Sequence, residues 1–340
     1  MTEENEQTID YVQKYINKLN SEEYKTIIQN LENIHKAKKM VDTLDKKYFN
    51  LTTLNDISDP LLSIVMTTYE RVTQTHFTVK TISTSAIKDK IQIIIVDDSK
   101  ESSLDLNVLA EYGVCIYYIR IMEKFWINPC VNYNLGFKFI KASKVIIQNG
   151  EVFHVGDVSN FVNQQLSDSR YLVFDVAAVK NMGCNDTMYK MDINYQNFSQ
   201  FQRLFERWYQ SMTMRNFQYH FLTAISKCDL DLIGGFDYDL SFGGGYDDDQ
   251  FIYKIRMSHI KIVNIPHNYQ LFGIHQWHTQ SIGAWCNGYD FNGRIFESKL
   301  KYQDEHKDEL PNGYQGFIYF TNFEGEESYQ KVYDILKRLG

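Results

Sequence analysis

The apolar positions of the first 57 residues recur at helical spacing. Ile9, Val12, Ile16 and Leu19 fall three and four apart, which marks one face of a helix. Asn20 and Ser21 offer a cap and a turn. Tyr24, Ile27, Ile28, Leu31, Ile34, Val41 and Leu44 then form a second stripe, interrupted at Lys38. The simplest reading is a helical hairpin, packed either on the chain's own surface or against a second copy as a coiled coil in a homo-oligomer. The pattern changes at "ISDP", residues 57–60, because Pro resists continuing a helix. Apolar runs at 61–66, 91–96, 114–119 and 145–147 read as strands, with helices at 74–87, 103–111 and 129–142 between them. Such Ile- and Val-rich runs alternating with helices predict an α/β fold with a mainly parallel central sheet flanked by helices. Beyond 158 the expectation is a helix at 159–167, one strand at 169–179 and a polar, irregular stretch at 180–200.

Ligands of such sheets bind at the carboxyl ends of the strands. Those tips read "MTTYER" (66–71), "VDDSK" (96–100) and "QNGE" (148–151). No G-x-G-x-x-G follows the first strand and no G-x-x-x-x-G-K-[ST] occurs, so neither a dinucleotide enzyme of the usual kind nor a P-loop enzyme is supported. The tips carry hydroxyls and carboxylates instead. These can accept from the imide and ribose hydroxyls of a nucleotide, or hold a hard cation. Glu151 stands alone at its tip; Asp157 becomes a second carboxylate there only if the loop folds back.

Further along, Gly243-Gly244-Gly245 precedes Asp247, Asp248 and Asp249, and then the helical pattern of Phe251, Ile252 and Ile255. The acids therefore sit at a helix N-terminus, where the dipole favours negative charge. One acid would satisfy capping. Three in a row point to function, and an ionised one is a candidate general base. His275 and His278 flank Trp277 in a short loop, open to a metal or diphosphate role or to a structural one. "QFQRLFERWYQ" (200–210) is either an acceptor-binding lip or a packed amphipathic segment.

Composition narrows the classes. A net charge of −8 argues against nucleic acid as the main partner. Five cysteines are scattered and none forms C-x-x-C, which reads as reduced thiols of an intracellular protein. No apolar run approaches the ~20 residues of a membrane span, and the N-terminus has no signal-peptide pattern, so a cytoplasmic protein without a transmembrane segment is expected.

Taken together, "LSIVMTTYER", "IIIVDDS", "NYNLGFKFIKASKVIIQNGE" and "GGFD…GGGYDDDQFIYKI" resemble the GT-A glycosyltransferases of the family 2 type, over about residues 61–280. The resemblance implies a GT-A fold and, residue by residue, a site. Thr67, Tyr69 and Glu70 match the segment that cradles the nucleotide base, and Asp97 and Asp98 the acids that bind uracil and ribose. Tyr133, Asn134 and Gly136 match an "RN-x-G" helix under the donor, with Tyr in place of Arg. Asp247 and Asp248 match the catalytic pair, with Asp248 as base, and His275 or His278 the metal-completing His. At the D-x-D position stand Asn149 and Glu151. This is similar to bacterial polysaccharide glycosyltransferases with an "N-P-E" tip, where Glu151 alone would serve; the other reading is a metal-independent site.

The implied organisation is an N-terminal helical extension (1–57), a nucleotide-sugar-binding half (58–157), an acceptor-binding and catalytic half (158–290) and a C-terminal extension, helical at its end (291–340). The implied reaction is inverting transfer from a nucleotide-diphosphate sugar, UDP favoured, to a hydroxyl of a glycan or glycoconjugate acceptor, with Mn²⁺ or Mg²⁺. The alternative is a GT-A module that binds a sugar nucleotide or a partner without turnover.

Overall fold

In a computed structural model the described residues are 21–212, 220–279, 292–293, 295–297 and 299–300. The elements in order are α1 (Ser21–Thr43), β1 (Phe49–Leu54), β2 (Leu62–Thr68), α2 (Val72–Ile82), β3 (Ile91–Asp97), α3 (Leu106–Glu111), β4 (Cys115–Ile121), α4 (Cys130–Phe137) and β5 (Lys144–Asn149). Then come β6 (Val152–Val155), α5 (Val158–Gln165), β7 (Arg170–Phe174), β8 (Val176–Val179), α6 (Met182–Met188), α7 (Phe198–Phe201) and β9 (Phe205–Gln210). The last are β10 (Leu222–Ser226), α8 (Lys227–Ile233), α9 (Asp247–Met257), β11 (Lys261–Ile265) and β12 (Phe272–His275).

The strand runs are apolar on both faces because both faces are covered. In β3, Ile94 and Val96 join the core beneath α1, α4 and α9, while Ile91, Ile93 and Ile95 join the core beneath α2, α3 and α5. Side chains alternate across a strand, so double burial demands a continuous run. The main sheet has eight strands in the order β1-β4-β3-β2-β5-β10-β7-β11. Its β4-β3-β2-β5 centre is parallel, as is β7-β11. β1 and β10 run antiparallel to their neighbours, making the sheet mixed rather than simply parallel. It is continuous across residue 157, so the two expected halves share one sheet. A second sheet, β6-β12-β8-β9, covers its own apolar cluster around Phe153, Phe201, Phe272 and Ile274.

Several expectations change. The helical character expected to residue 57 ends at Thr43, and Phe49–Leu54 is an edge strand on β4. Lys38 does not break α1, because its side chain lies exposed and pairs with Asp42 at 2.5 Å. Ile34, Ala37, Met40 and Val41 are buried in the main core, so this helix packs on its own chain; the first helix of the expected hairpin lies outside the described residues. The single strand at 169–179 is two strands in different sheets. The break is at Asp175, whose buried carboxylate accepts from the backbone N–H of His267 at 2.9 Å. The irregular 180–200 stretch contains α6, capped by the Asn181 side chain on Cys184 N. Residues 205–210 are the edge strand β9 of the second sheet. The expected C-terminal helix at the chain end lies outside the described residues. No helix among the described residues is long and apolar enough to cross a membrane.

Candidate active site

The tip of β5 turns into β6 through Gly150 and Glu151. Gly150 is required by space: a Cβ there would stand 2.9 Å from the Thr67 carbonyl oxygen and 3.1 Å from Thr75 Oγ1. The turn is fixed by Gly150 N–H donating to Thr67 O at 3.0 Å. Tyr133, fully buried on α4, points its hydroxyl at Gln148 O (2.9 Å) and Asn149 Oδ1 (3.0 Å). Tyrosine at the position where the resembling family has Arg thus ties the helix to the strand tip. The Asn149 amide nitrogen faces Glu151 Oε1 at 3.5 Å.

Strand pairing brings Glu151 its partners. β12 lies antiparallel to β6 with His275 opposite Val152. Gln276 Nε2 donates to the Glu151 carbonyl oxygen at 3.0 Å and also to Gln74 O. Glu151 Oε1 then stands 3.4 Å from His275 Nε2 and 3.5 Å from His278 Nε2. Burial opposes ionisation of Glu151, but the two imidazoles outweigh it and hold its carboxyl well below the usual range. The three ligand atoms lie within 4.8 Å of one another. Ligands ~2.1 Å from a common ion stand about 3.0–3.4 Å apart; the two distances from Glu151 come close to this, so the three residues could hold a divalent cation. Two imidazoles favour a first-row transition ion such as Mn²⁺ over Mg²⁺, which prefers oxygen ligands. For Nε2 of His278 to ligate, Nδ1 must carry the proton, and Thr279 O accepts from it at 3.1 Å. In the other tautomer Nδ1 accepts from Arg71 Nη2 at 2.8 Å.

The acidic triplet opens α9. The preceding Tyr246 is left-handed at φ 66°. Asp247 is buried and accepts from Asn128 Nδ2 at 2.9 Å. Burial and the neighbouring Asp248 charge raise its carboxyl. Asp248 Oδ1 touches Nδ1 of His220. His220, Asp247 and Asp248 form a second triad with ligand-type atoms within 4.8 Å. Tyr133 stands beside it, 4.9 Å ring to ring from His220. His275 reaches the same wall through Phe221, whose ring centroid is 5.9 Å away. The two triads therefore share the region at the end of β5.

His220 escaped the sequence reading. It lies just before β10, and nothing in "NFQYHFLTAIS" shows that this strand runs antiparallel to β5, with Leu222 opposite Gln148. That register brings His220 and Phe221, just before β10, to the tip of β5.

The other expected residues are engaged elsewhere. Asp97 accepts from Ser99 N (2.9 Å), Ser99 Oγ (2.5 Å), Tyr118 OH (2.6 Å) and Arg120 Nη1 (2.7 Å). A carboxylate has about four lone-pair sites, so a nucleotide would have to displace one of these donors. Asp98 is paired with Lys124. Glu70 accepts from the backbone N–H groups of Lys100 (2.6 Å), Glu101 (2.9 Å) and Ser102 (3.1 Å) and from the Ser102 hydroxyl. Burial opposes its ionisation, but these donors bring its pKa down to about 2. Tyr69 lies under the Lys124 ammonium at 5.5 Å, next to the Asp98 pair, and Thr67 is half-buried beside the Gly150 turn. Asn134 clamps Phe236, donating to its carbonyl at 2.9 Å and accepting from its N–H at 2.8 Å. Gly235 packs against that amide at φ +69°, where a Cβ would stand 2.6 Å from Asn134 Oδ1. Asp157 does not fold back to Glu151. It caps α5 through Asn160 N and accepts from Ser85 Oγ at 2.6 Å.

No protein-family model and no curated protein matches the chain. Among solved structures it is similar to a mannosyltransferase from Pyrobaculum calidifontis in complex with GDP-Man and Mn²⁺, with 14% identity over 92% of this chain and 78% of that one, at a TM-score of 0.43. It is similar to S. aureus TarS at 14% identity and a TM-score of 0.48, over 82% of this chain and 43% of that one. TarS 1–349 in complex with UDP-GlcNAc matches at 13% identity and 0.45, over 82% and 71% of the two chains.

Proposed function

We propose that the protein is a GT-A glycosyltransferase of the family 2 type, related to those of polysaccharide biosynthesis. It moves a sugar from a nucleotide-diphosphate sugar, UDP favoured, to an acceptor hydroxyl with inversion. The observation that carries the reading is the meeting of two different triads at one strand tip: Glu151 with His275 and His278, and Asp248 with Asp247 and His220. Glu151, His275 and His278 would hold the divalent cation, which when bound neutralises charge growing on the leaving diphosphate. Arg71, beside His278, adds a fixed positive charge near the same place. Asp248 takes the acceptor proton as the hydroxyl attacks. Asn149, anchored by Tyr133, orients Glu151. Thr67 and Tyr69 line the approach of the nucleotide, while Asp97, Asp98 and Glu70 shape its loops through the internal bonds described above, and Asn134 holds the Phe236 segment.

The test is a thermal-shift screen of UDP- and GDP-sugars with and without Mn²⁺, followed by nucleotide release with water as acceptor. A ligand that binds the native state raises apparent stability. A Mn²⁺-dependent shift with release supports the transferase. A shift without release by any donor supports the non-catalytic module. No shift with any sugar nucleotide refutes both.

A further inference from the structure

His220 is buried in a box of three rings. Tyr133 and Phe236 lie edge-on at 4.9 Å, and Phe221 is stacked at 6.4 Å. A histidine there could be simple packing. Its orientation argues otherwise, because Nδ1 is turned out of the box onto Asp248 Oδ1. The two atoms are in contact, and neither has a hydrogen-bond partner elsewhere among the described residues. The groups facing His220 are Asp248 and Asp247 from α9, Glu151 from the β5–β6 turn and the Tyr133 phenol from α4. Asp248 therefore has an acid, Asp247, as its chain neighbour and an imidazole as its only described side-chain partner.

We propose that His220 is a positioning residue for Asp248: its imidazole, seated against the carboxylate, orients it, and the protonated ring sets a positive charge beside Asp248 and Asp247. The inference rests on the role given to Asp248 above. It adds no step to the reaction. The proton leaves the acceptor hydroxyl for Asp248 as before, and the imidazole ring supplies orientation and charge. Burial disfavours the His220 cation, and the Asp248 charge outweighs it, so the imidazole titrates above its ordinary value. The ion pair thus contributes stability fully below the unfolded value of about 6.5, lost as pH rises through the folded one.

The direct test needs no substrate. Histidine is labelled with ¹⁵N and the His220 signal is assigned by its loss in His220→Asn. Its pH titration is then followed in the full chain and in Asp248→Asn. The expected result is a titration above the ordinary value that moves down in Asp248→Asn, where burial remains and the Asp248 charge is gone. A His220 that stays neutral throughout, or whose titration ignores Asp248→Asn, overturns the proposal.

The second arm measures UDP release from UDP-N-acetylglucosamine and UDP-glucose with Mn²⁺. His220→Phe fills the box without a donor and should lower kcat about 10- to 100-fold with donor KM unchanged, the usual scale for an orienting partner. His220→Asn restores a donor without charge and should recover most of kcat. In both variants the acid limb of kcat should move to higher pH, because a neighbouring positive charge is gone. Equal kcat loss in both variants with an unmoved acid limb means a packing role only, and overturns it. If neither donor is turned over by the unaltered protein, the transferase reading fails while the ¹⁵N titration still decides the His220–Asp248 contact.

Discussion

The acids at the strand tips and helix starts divide into two groups. Asp97, Asp98, Glu70 and Asp157 meet Arg, Lys, hydroxyls and backbone N–H groups. Glu151 and Asp248 meet imidazoles instead. The first partners donate at every ordinary pH and anchor loops and a helix start. Imidazoles change charge near neutrality and can ligate a cation. Among these six acids the partner, not the residue type, separates the two groups; Asp175, which meets the His267 imidazole at 2.8 Å where the chain changes sheet, stands outside both.

Four substitutions probe that division, the largest effect first. Asp248→Asn should lower nucleotide release on the order of 10²- to 10⁴-fold while donor binding, read by thermal shift, persists. Near-normal turnover would move Asp248 into the scaffold group. Glu151→Ala should remove the Mn²⁺-dependent rise in melting temperature; an undiminished rise would place the cation elsewhere.

The scaffold group is expected to answer in stability. Asp157→Ala removes the cap of α5 and the tie to Ser85, and should cost about 1 kcal/mol in chemical denaturation. Turnover should stay intact. Glu70→Gln has the smallest expected effect and is read by pH. The folded Glu70 pKa is depressed from 4.5 to about 2. Its ionised form therefore contributes stability fully above 4.5 and loses it as pH falls through about 2. The stability gap between the unaltered protein and Glu70→Gln should be constant near neutrality and close across that acid window. A gap that persists at pH 2 would show that Glu70 acts through packing.

Much of the fold was legible. The four apolar runs became β2, β3, β4 and β5, since burial on both faces leaves no room for polar alternation. The start of α9 at the aspartates was legible too, from the glycine loop and the apolar spacing after it. β1 was not, because "FNLTTL" follows a helical pattern and has little of its own to bury; the edge of β4 recruits it. The split at Asp175 was hidden for a similar reason. "RYLVF" and "VAAV" are both apolar, and the change of sheet depends on what each half pairs with.

The sequence by itself determined which residue types stand at the strand ends, the helix start and the loops between them, and so nominated Glu151, Asp248, His275 and His278 along with acids that proved to be anchored elsewhere. Only the tertiary structure sorted them. It placed His275 against Glu151 through the β6–β12 pairing, and His220 against Asp248 through the antiparallel entry into β10. The reason is physical. Local patterning follows from short-range geometry and burial, but a carboxylate's chemistry follows from the donors around it, and those arrive from elements distant in sequence.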